Sequence, residues 1–294
     1  MKEKWFALIL LLLLLVGCNN NVDIQDDVTN VASYTYVPVE NKVASYIYQE
    51  GKTSQDLEDE LGDVYVELGD FYEVTREENE TDESYQIRCN FWNEVQNCTW
   101  YKLKNVNNVE YLIRENATGE LSLWKFDVFF VDGTSADNVR DAFPEAELDS
   151  YTYGEEIFYV YNVDSAEDIK SITVKSASHT DLEKLNNISN KIETFEIVER
   201  EKIEYLYDVF SEMICNGYDE MIINYRTAEM QEKIESDQDN VFLYLRELEI
   251  HLENGNSING LTYSSAAGAF YKYVNYKPVE EDTALRIDEI FQIN

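Results

Sequence analysis

The sequence predicts an α+β protein in which helices pack on antiparallel sheets, with the chain divided into two domains. Segments of alternating apolar and polar residues, which are typical of strands, recur along the chain and are joined by short turns. Between 199 and 215 the apolar residues instead repeat every three to four positions, which is typical of a helix. Strands and helices do not alternate in the regular rhythm of a parallel α/β sheet, so we expect antiparallel sheets.

The chain begins with the pattern of a secretory signal peptide. A short charged start precedes the apolar run Trp5–Val16, which is shorter than the roughly 20 residues that span a hydrocarbon core. The run leads into four residues that resemble the bacterial lipobox, namely Leu15, Val16, Gly17 and Cys18. This resemblance implies that the Cys18 thiol carries a lipid and that a peptidase removes residues 1–17.

A lipid on Cys18 predicts where the protein acts. Two acyl chains suffice for stable anchoring, since each buried methylene contributes about 0.8 kcal/mol. The polar residues 18–30 are expected to form a flexible tether. The alternatives are an ordinary signal peptide with an incidental cysteine, and an uncleaved anchor. We therefore expect a membrane-attached protein on the extracytoplasmic face of the bacterial cytoplasmic membrane.

The charge of the chain limits its partners. The net charge is −36, and removal of residues 1–17 takes away a net +1 and leaves −37. This charge repels nucleic acid and anionic lipid headgroups, so no nucleic-acid partner is predicted and only the lipid holds the chain at a membrane. Aromatic residues make up 13% of the chain, which excludes a disordered protein.

The N-terminal domain is predicted to cover residues 31–163. It opens with a short repeat, Val31–Tyr36 and Val43–Tyr48, whose two copies alternate and are expected to pair as antiparallel strands. A short helix is predicted from Gln55 to Leu61. Strands follow at 85–92, 98–104, 109–115 and 121–131, with a short helix at 135–143.

The C-terminal domain is predicted to cover residues 164–294. Ser165 and Asp168 have the spacing of a capping box, and a strand is expected directly after them at 169–175. The clearest helix of the chain is 199–215, with one apolar stripe. Further strands are predicted at 245–253, 257–263 and 268–276, and a last helix at 280–291.

Two cysteines lie nine positions apart in the N-terminal domain. Outside the membrane, Cys89 and Cys98 could form a disulfide if two adjacent strands brought them together. The alternative is a pair of unbridged thiols in the core. Cys215 is then left as a free thiol or as an intermolecular partner.

Four aromatic residues lie within or beside this cysteine loop. Exposed on a loop, they would form a binding surface for a carbohydrate or a peptide. The alternative is that they fill a small core. The residues of this candidate surface are Phe91, Trp92, Trp100 and Tyr101.

Motifs for catalysis are absent from the sequence. It contains no Gly-x-Ser-x-Gly elbow, no P-loop, no dinucleotide-binding glycine pattern and no His-Glu-x-x-His. His179 lies in a polar stretch, and His251 takes an outward position on its strand between Glu249 and Glu253. Both are expected to be ordinary exposed histidines; the alternative is a general base or a metal ligand. We therefore predict no catalytic residue, no metal site and no cofactor.

Several stretches resemble known proteins when they are taken together with the lipobox. They are similar to uncharacterised lipoproteins of Gram-positive, clostridial-type bacteria, over roughly the second half of the chain. The resemblance implies only a location at the extracytoplasmic face, since it offers no catalytic motif that can be transferred to residues of this chain. The stretches are Tyr151–Glu156, Ser165–Ile172, Glu199–Gly217, Leu245–Gly255 and Leu261–Tyr271.

Taken together, the sequence favours a non-enzymatic surface lipoprotein that binds a protein or a cell-envelope component. One rival is a hydrolase of envelope glycans with paired carboxylates, which an aromatic-lined cleft with two carboxylates about 5–10 Å apart would indicate. Another rival is the solute-binding lipoprotein of a transporter. Such receptors usually have two α/β lobes, and the sequence lacks the regular alternation of strands and helices that such lobes require.

Overall fold

A computed structural model describes residues 34–132, 138–176, 194–215, 231–232, 245–272 and 275–293. These residues form a mixed α+β fold with three antiparallel sheets, which confirms the predicted fold class. The signal peptide, the lipobox with Cys18, the tether and His179 lie outside the described residues. Within the described ranges, no helix is both long and apolar enough to cross a membrane.

The chain divides into two compact units. Among the described residues, the N-terminal unit comprises those within 34–150 and 155–162, and the C-terminal unit comprises those within 151–154 and 163–293. Each unit has its own six-stranded antiparallel sheet. Each sheet is described here within its own unit.

The sheet of the N-terminal unit has the strand order β1-β2-β6-β5-β4-β3. The predicted pairing of the short repeat is confirmed for its described residues, which begin at Tyr34, because Tyr36 of one copy lies opposite Ser45 of the other. The strands are β1 (Tyr34–Val39), β2 (Lys42–Gln49), β3 (Leu61–Leu68), β4 (Cys98–Leu103), β5 (Tyr111–Glu115) and β6 (Leu121–Phe129).

Short helices accompany this sheet. Helix α1 (Ser54–Glu58) starts at a capping box made by Thr53 and Asp56, and its Leu57 packs against Ile113 and Leu121 on one face of the sheet. The further helices along the chain are α2 (Asp82–Val95), α3 (Val139–Ala142) and α4 (Tyr153–Tyr161).

Helix α2 corrects the predicted strand at 85–92. The side chain of Thr81 accepts a hydrogen bond from the Ser84 amide at the start of the helix, and two acidic residues in the first turn suit the positive end of the helix dipole. Its buried residues, Trp92 and Val95, are three positions apart, which is a helical spacing. The local start signal and this spacing explain why the segment is a helix.

One buried amide fixes the segment between β3 and α2. The side-chain oxygen of Gln96 accepts hydrogen bonds from the backbone amides of Phe71 (3.1 Å) and Tyr72 (2.9 Å), and its nitrogen donates to the Tyr72 carbonyl (3.2 Å). Gln96 is only 4% exposed. A single side chain therefore satisfies three backbone groups of this loop.

The sheet of the C-terminal unit has the order β14-β13-β12-β11-β8-β9. Its strands are β8 (Ile169–Ser176), β9 (Thr194–Ile197), β11 (Leu245–Leu252), β12 (Ser257–Ser264), β13 (Ala269–Lys272) and β14 (Asn275–Pro278). A separate short pair joins β7 (Tyr151–Thr152) to β10 (Ile214–Cys215). The capping box of Ser165 and Asp168 is confirmed at the 3-10 turn Ala166–Asp168.

Two helices cover one face of this sheet, α5 (Arg200–Ser211) and α6 (Glu281–Ile290). The Phe210 ring lies 6.2 Å from Phe270, and the Tyr263 ring lies 5.4 Å from Phe291. The predicted apolar stripe of the first helix is confirmed by its buried residues Ile203, Leu206 and Phe210. The helix ends at Ser211, four residues before the predicted end.

Replacement of Gln96 by alanine tests the loop contact. We expect Gln96→Ala to lower the free energy of unfolding by about 2 kcal/mol, because two backbone amides then lack their acceptor. Gln86→Ala, on the exposed side of α2, is the control and should change it by less than about 0.5 kcal/mol. Urea denaturation followed by tryptophan fluorescence measures both. A change of less than about 0.5 kcal/mol in Gln96→Ala would show that the contact is dispensable.

Candidate functional site

The structure corrects the predicted disulfide. Cys89 lies on helix α2 and Cys98 at the start of β4, and neither is in a disulfide. The prediction required two adjacent strands, and the first of them is a helix. The Cys98 thiol instead donates a hydrogen bond to the Val95 carbonyl at 3.3 Å. Cys215 lies buried in β10.

The predicted aromatic binding surface is also wrong, because its two tryptophans are core residues. Trp92 is 2% exposed and Trp100 is fully buried. Phe91 packs against the rings of Tyr34 and Tyr36. Tyr101 is half-buried and donates a hydrogen bond to Glu115 at 2.6 Å, which raises the pKa of Tyr101. The alternative stated from the sequence, a small aromatic core, describes these residues.

A shallow groove of about 750 Å³ lies at one end of the N-terminal sheet. Its floor includes one row across three strands, in which Thr99 lies between Glu67 and Glu115. Strand spacing puts the Cα atoms of the two glutamates about 10 Å apart. The groove is lined by two carboxylates but by no aromatic residue, so it differs from the aromatic-lined cleft expected of a glycan hydrolase.

The strongest polar constellation lies on the C-terminal sheet, on the face opposite α5 and α6. Because side chains alternate along a strand, the outward residues of β8 and β11 meet across the sheet. Thr173 lies opposite Glu249, Lys175 lies opposite Glu247, and His251 lies opposite Ser171. We call this set, with Ser257 of β12 and Glu196 of β9, the polar face.

His251 is the centre of the polar face. Its Nε2 lies 2.8 Å from Thr173 Oγ1, and its Nδ1 lies 2.8 Å from Ser257 Oγ. A carboxylate oxygen of Glu249 lies 3.9 Å from Nδ1. The His251 side chain is 30% exposed, so the imidazole is held by neighbours on both sides yet is not enclosed. Hydroxyl groups on both ring nitrogens fix the orientation of the ring.

The two glutamates of β11 have opposite pKa shifts. The ammonium of Lys175 donates to Glu249 at 2.6 Å, and this hydrogen bond lowers the pKa of Glu249. Burial raises the pKa of Glu247, against a smaller effect of Lys175. The Glu249 carboxylate therefore stays ionised at neutral pH. Its pairing stabilises the fold above the ordinary pKa of a glutamate, and this contribution is lost as the pH falls.

A β-bulge lies beside Glu249. Leu248 and Ile250 pair with Leu261 and Ile258, so two residues of β12, Asn259 and Gly260, lie opposite Glu249 alone. Gly260 has a φ of +95°, a conformation that glycine adopts readily, and both bulge residues are exposed. Bulges interrupt the ladder of backbone hydrogen bonds and are frequent next to functional sites.

Sequence reasoning placed His251 on the outward side of its strand but missed its partners. Thr173 is 78 positions away along the chain, and only the register of β8 with β11 brings it to the ring. The one available signal is the alternation of Glu247, Glu249 and His251 along a single strand. Among the described residues, no group of three or more His, Cys, Asp or Glu side chains is placed to hold a metal ion.

Comparisons with known proteins give no match. No protein-family model, no curated protein and no solved structure is similar to this chain. The function is therefore argued from the residues themselves.

Removal of the Lys175 ammonium tests the electrostatics of the polar face. We expect Lys175→Met to raise the pKa of Glu249, because the carboxylate then loses its hydrogen-bond donor and its nearby positive charge. Lys170→Met is the control, since Lys170 is an exposed lysine at an opposite-phase position of the same strand. Carbon-13 NMR titration of the carboxyl groups measures the shift. An unchanged pKa of Glu249 in the Lys175→Met variant would contradict the ion pair.

Proposed function

We propose that this chain is a lipid-anchored lipoprotein on the extracytoplasmic face of the bacterial cytoplasmic membrane, and that it binds a protein or a cell-envelope component. The anchor is supported by the apolar run that ends in Leu15, Val16, Gly17 and Cys18. The binding function is supported by the polar face of the C-terminal unit, which is the single observation that carries it.

The polar face is suited to binding because its groups are held in place before a ligand arrives. Lys175, Glu249 and His251 lie on paired strands rather than on loops, and each is fixed by a neighbour at 2.6–2.8 Å. Donors and acceptors on rigid elements lose little conformational entropy when they bind. The arrangement offers a cation, carboxylates, an imidazole and hydroxyls within one small area.

The charge of the whole chain limits the ligand. A mature charge of −37 disfavours polyanionic envelope polymers, because approach of like charges is opposed over a Debye length of about 8 Å. Neutral polyhydroxylated components and cationic segments of proteins carry no such penalty. We therefore propose a neutral or cationic ligand.

Lipidation is tested at Cys18. We expect Cys18→Ala to abolish incorporation of labelled palmitate and to move the protein from the membrane fraction to the soluble fraction of the cells that express it. Cys215→Ala is the control and should leave both unchanged, because that residue is buried in the C-terminal unit. Unaltered fractionation of Cys18→Ala would contradict the anchor.

Binding by the polar face is tested with isolated cell envelopes. We expect the purified chain to be retained by them and His251→Gln to weaken retention about tenfold, which corresponds to the loss of about 1.4 kcal/mol. Glu253→Gln, an exposed residue just after β11, is the control. Circular dichroism confirms that the variants are folded. Equal retention of wild type and His251→Gln would remove the polar face from the proposal.

A further inference from the structure

We propose that the Thr173 hydroxyl is a nucleophile that His251 activates for attack on an ester, so that the polar face carries out acyl transfer. The observation is a chain of contacts across two strands. Lys175 holds Glu249 at 2.6 Å, Glu249 lies 3.9 Å from Nδ1 of His251, and Nε2 of His251 lies 2.8 Å from Thr173 Oγ1. A carboxylate, an imidazole and a hydroxyl therefore lie next to one another in a row.

The position of the imidazole proton decides which hydroxyl is activated. A neutral imidazole has one N–H donor and one bare nitrogen acceptor. The ionised Glu249 carboxylate lies on the Nδ1 side of the ring, so we assign the proton to Nδ1. Nε2 is then bare and accepts the hydrogen bond of the Thr173 hydroxyl.

The same assignment gives Ser257 a different role. Its Oγ accepts a hydrogen bond from Nδ1–H and holds the ring in position, so Ser257 is a positioning residue. Lys175 acts through Glu249, because its ammonium donates a hydrogen bond to that carboxylate at 2.6 Å and fixes its position. A nucleophile, a base within hydrogen-bond reach and a third group that orients the base are the parts required for nucleophilic catalysis.

The reaction that these groups support is transfer from an ester. Thr173 Oγ attacks the carbonyl carbon while Nε2 of His251 takes the hydroxyl proton. The bond to the leaving alkoxide then breaks, and the imidazolium gives its proton to that alkoxide, which departs as an alcohol. Water, deprotonated by the same nitrogen, then attacks the carbonyl carbon of acyl-Thr173. The bond to Thr173 Oγ breaks, the imidazolium returns its proton to that oxygen, and a carboxylic acid is released.

The substrate class is an acyl ester on a neutral or cationic molecule, since the charge argument above also applies to a substrate. This inference goes beyond binding and does not depend on the lipid anchor. A soluble ester therefore tests it even if the proposed envelope ligand is wrong. Conversely, retention by cell envelopes without any reaction at Thr173 would leave the binding proposal standing and overturn this one.

The experiment uses the purified full chain with p-nitrophenyl acetate and, separately, an alkyl fluorophosphonate. We expect p-nitrophenol release and a covalent phosphonyl adduct on Thr173, located by peptide mass spectrometry. Thr173→Val, which keeps the shape of the side chain, should abolish the adduct. His251→Gln should slow its formation at least hundredfold, the usual contribution of a general base.

Two further variants separate the roles. Thr262→Val, on β12 and without a contact to His251, is the matched control and should react like the wild type. In Ser257→Ala the adduct should stay on Thr173. An adduct on Ser257, or no difference between wild type and Thr173→Val, would overturn the assignment.

Discussion

The candidate site depends on the register of one strand. β11 pairs with β8 so that Ile250 lies opposite Ile172, and it pairs with β12 so that Ile250 lies opposite Ile258. These apolar residues face α5 and α6, and the same register brings His251 to Ser171 and Ser257 on the other face. A shift by one residue would exchange the two faces of the strand. Burial of the apolar face therefore specifies the polar constellation, whatever the polar groups themselves contribute to stability.

Because acidic residues outnumber basic ones, each lysine or arginine that pairs with a carboxylate marks a defined position in the fold. With 59 acidic and 23 basic residues, most carboxylates cannot each have a lysine or arginine partner. Arg88 donates a hydrogen bond to Glu80 at 2.8 Å, and this bond lowers the pKa of Glu80 to about 2. Lys175 donates to Glu249 in the same way. The Glu80 side chain is only 6% exposed, whereas the Lys175–Glu249 pair is partly exposed and contributes little to stability. Each pair fixes one carboxylate and one cation at a defined position of the fold.

The sequence predicted the elements with a strong local signal and failed where distant residues decide. Three local patterns are present in the structure: the described part of the repeat (34–48), the capping box at Ser165 and the apolar stripe of α5. The predicted strand at 85–92 is wrong because the local start signal at Thr81 begins a helix there. Strand register, in contrast, has no local signature in the sequence. It determines the core position of Trp100 and the contact between Thr173 and His251, which are 78 positions apart.

The hydrogen bonds within the polar face limit how tightly it can bind a ligand. Ser171 donates to Glu196 at 2.5 Å, Lys175 donates to Glu249, and both nitrogens of His251 already have partners. A ligand must exchange these bonds for its own, and each exchange yields only about 0.5–1.5 kcal/mol. Pure binding at this face is therefore expected to be modest in affinity. Covalent capture at Thr173 has no such limit, because catalysis depends on contacts that strengthen in the transition state rather than on tight binding of the ground state.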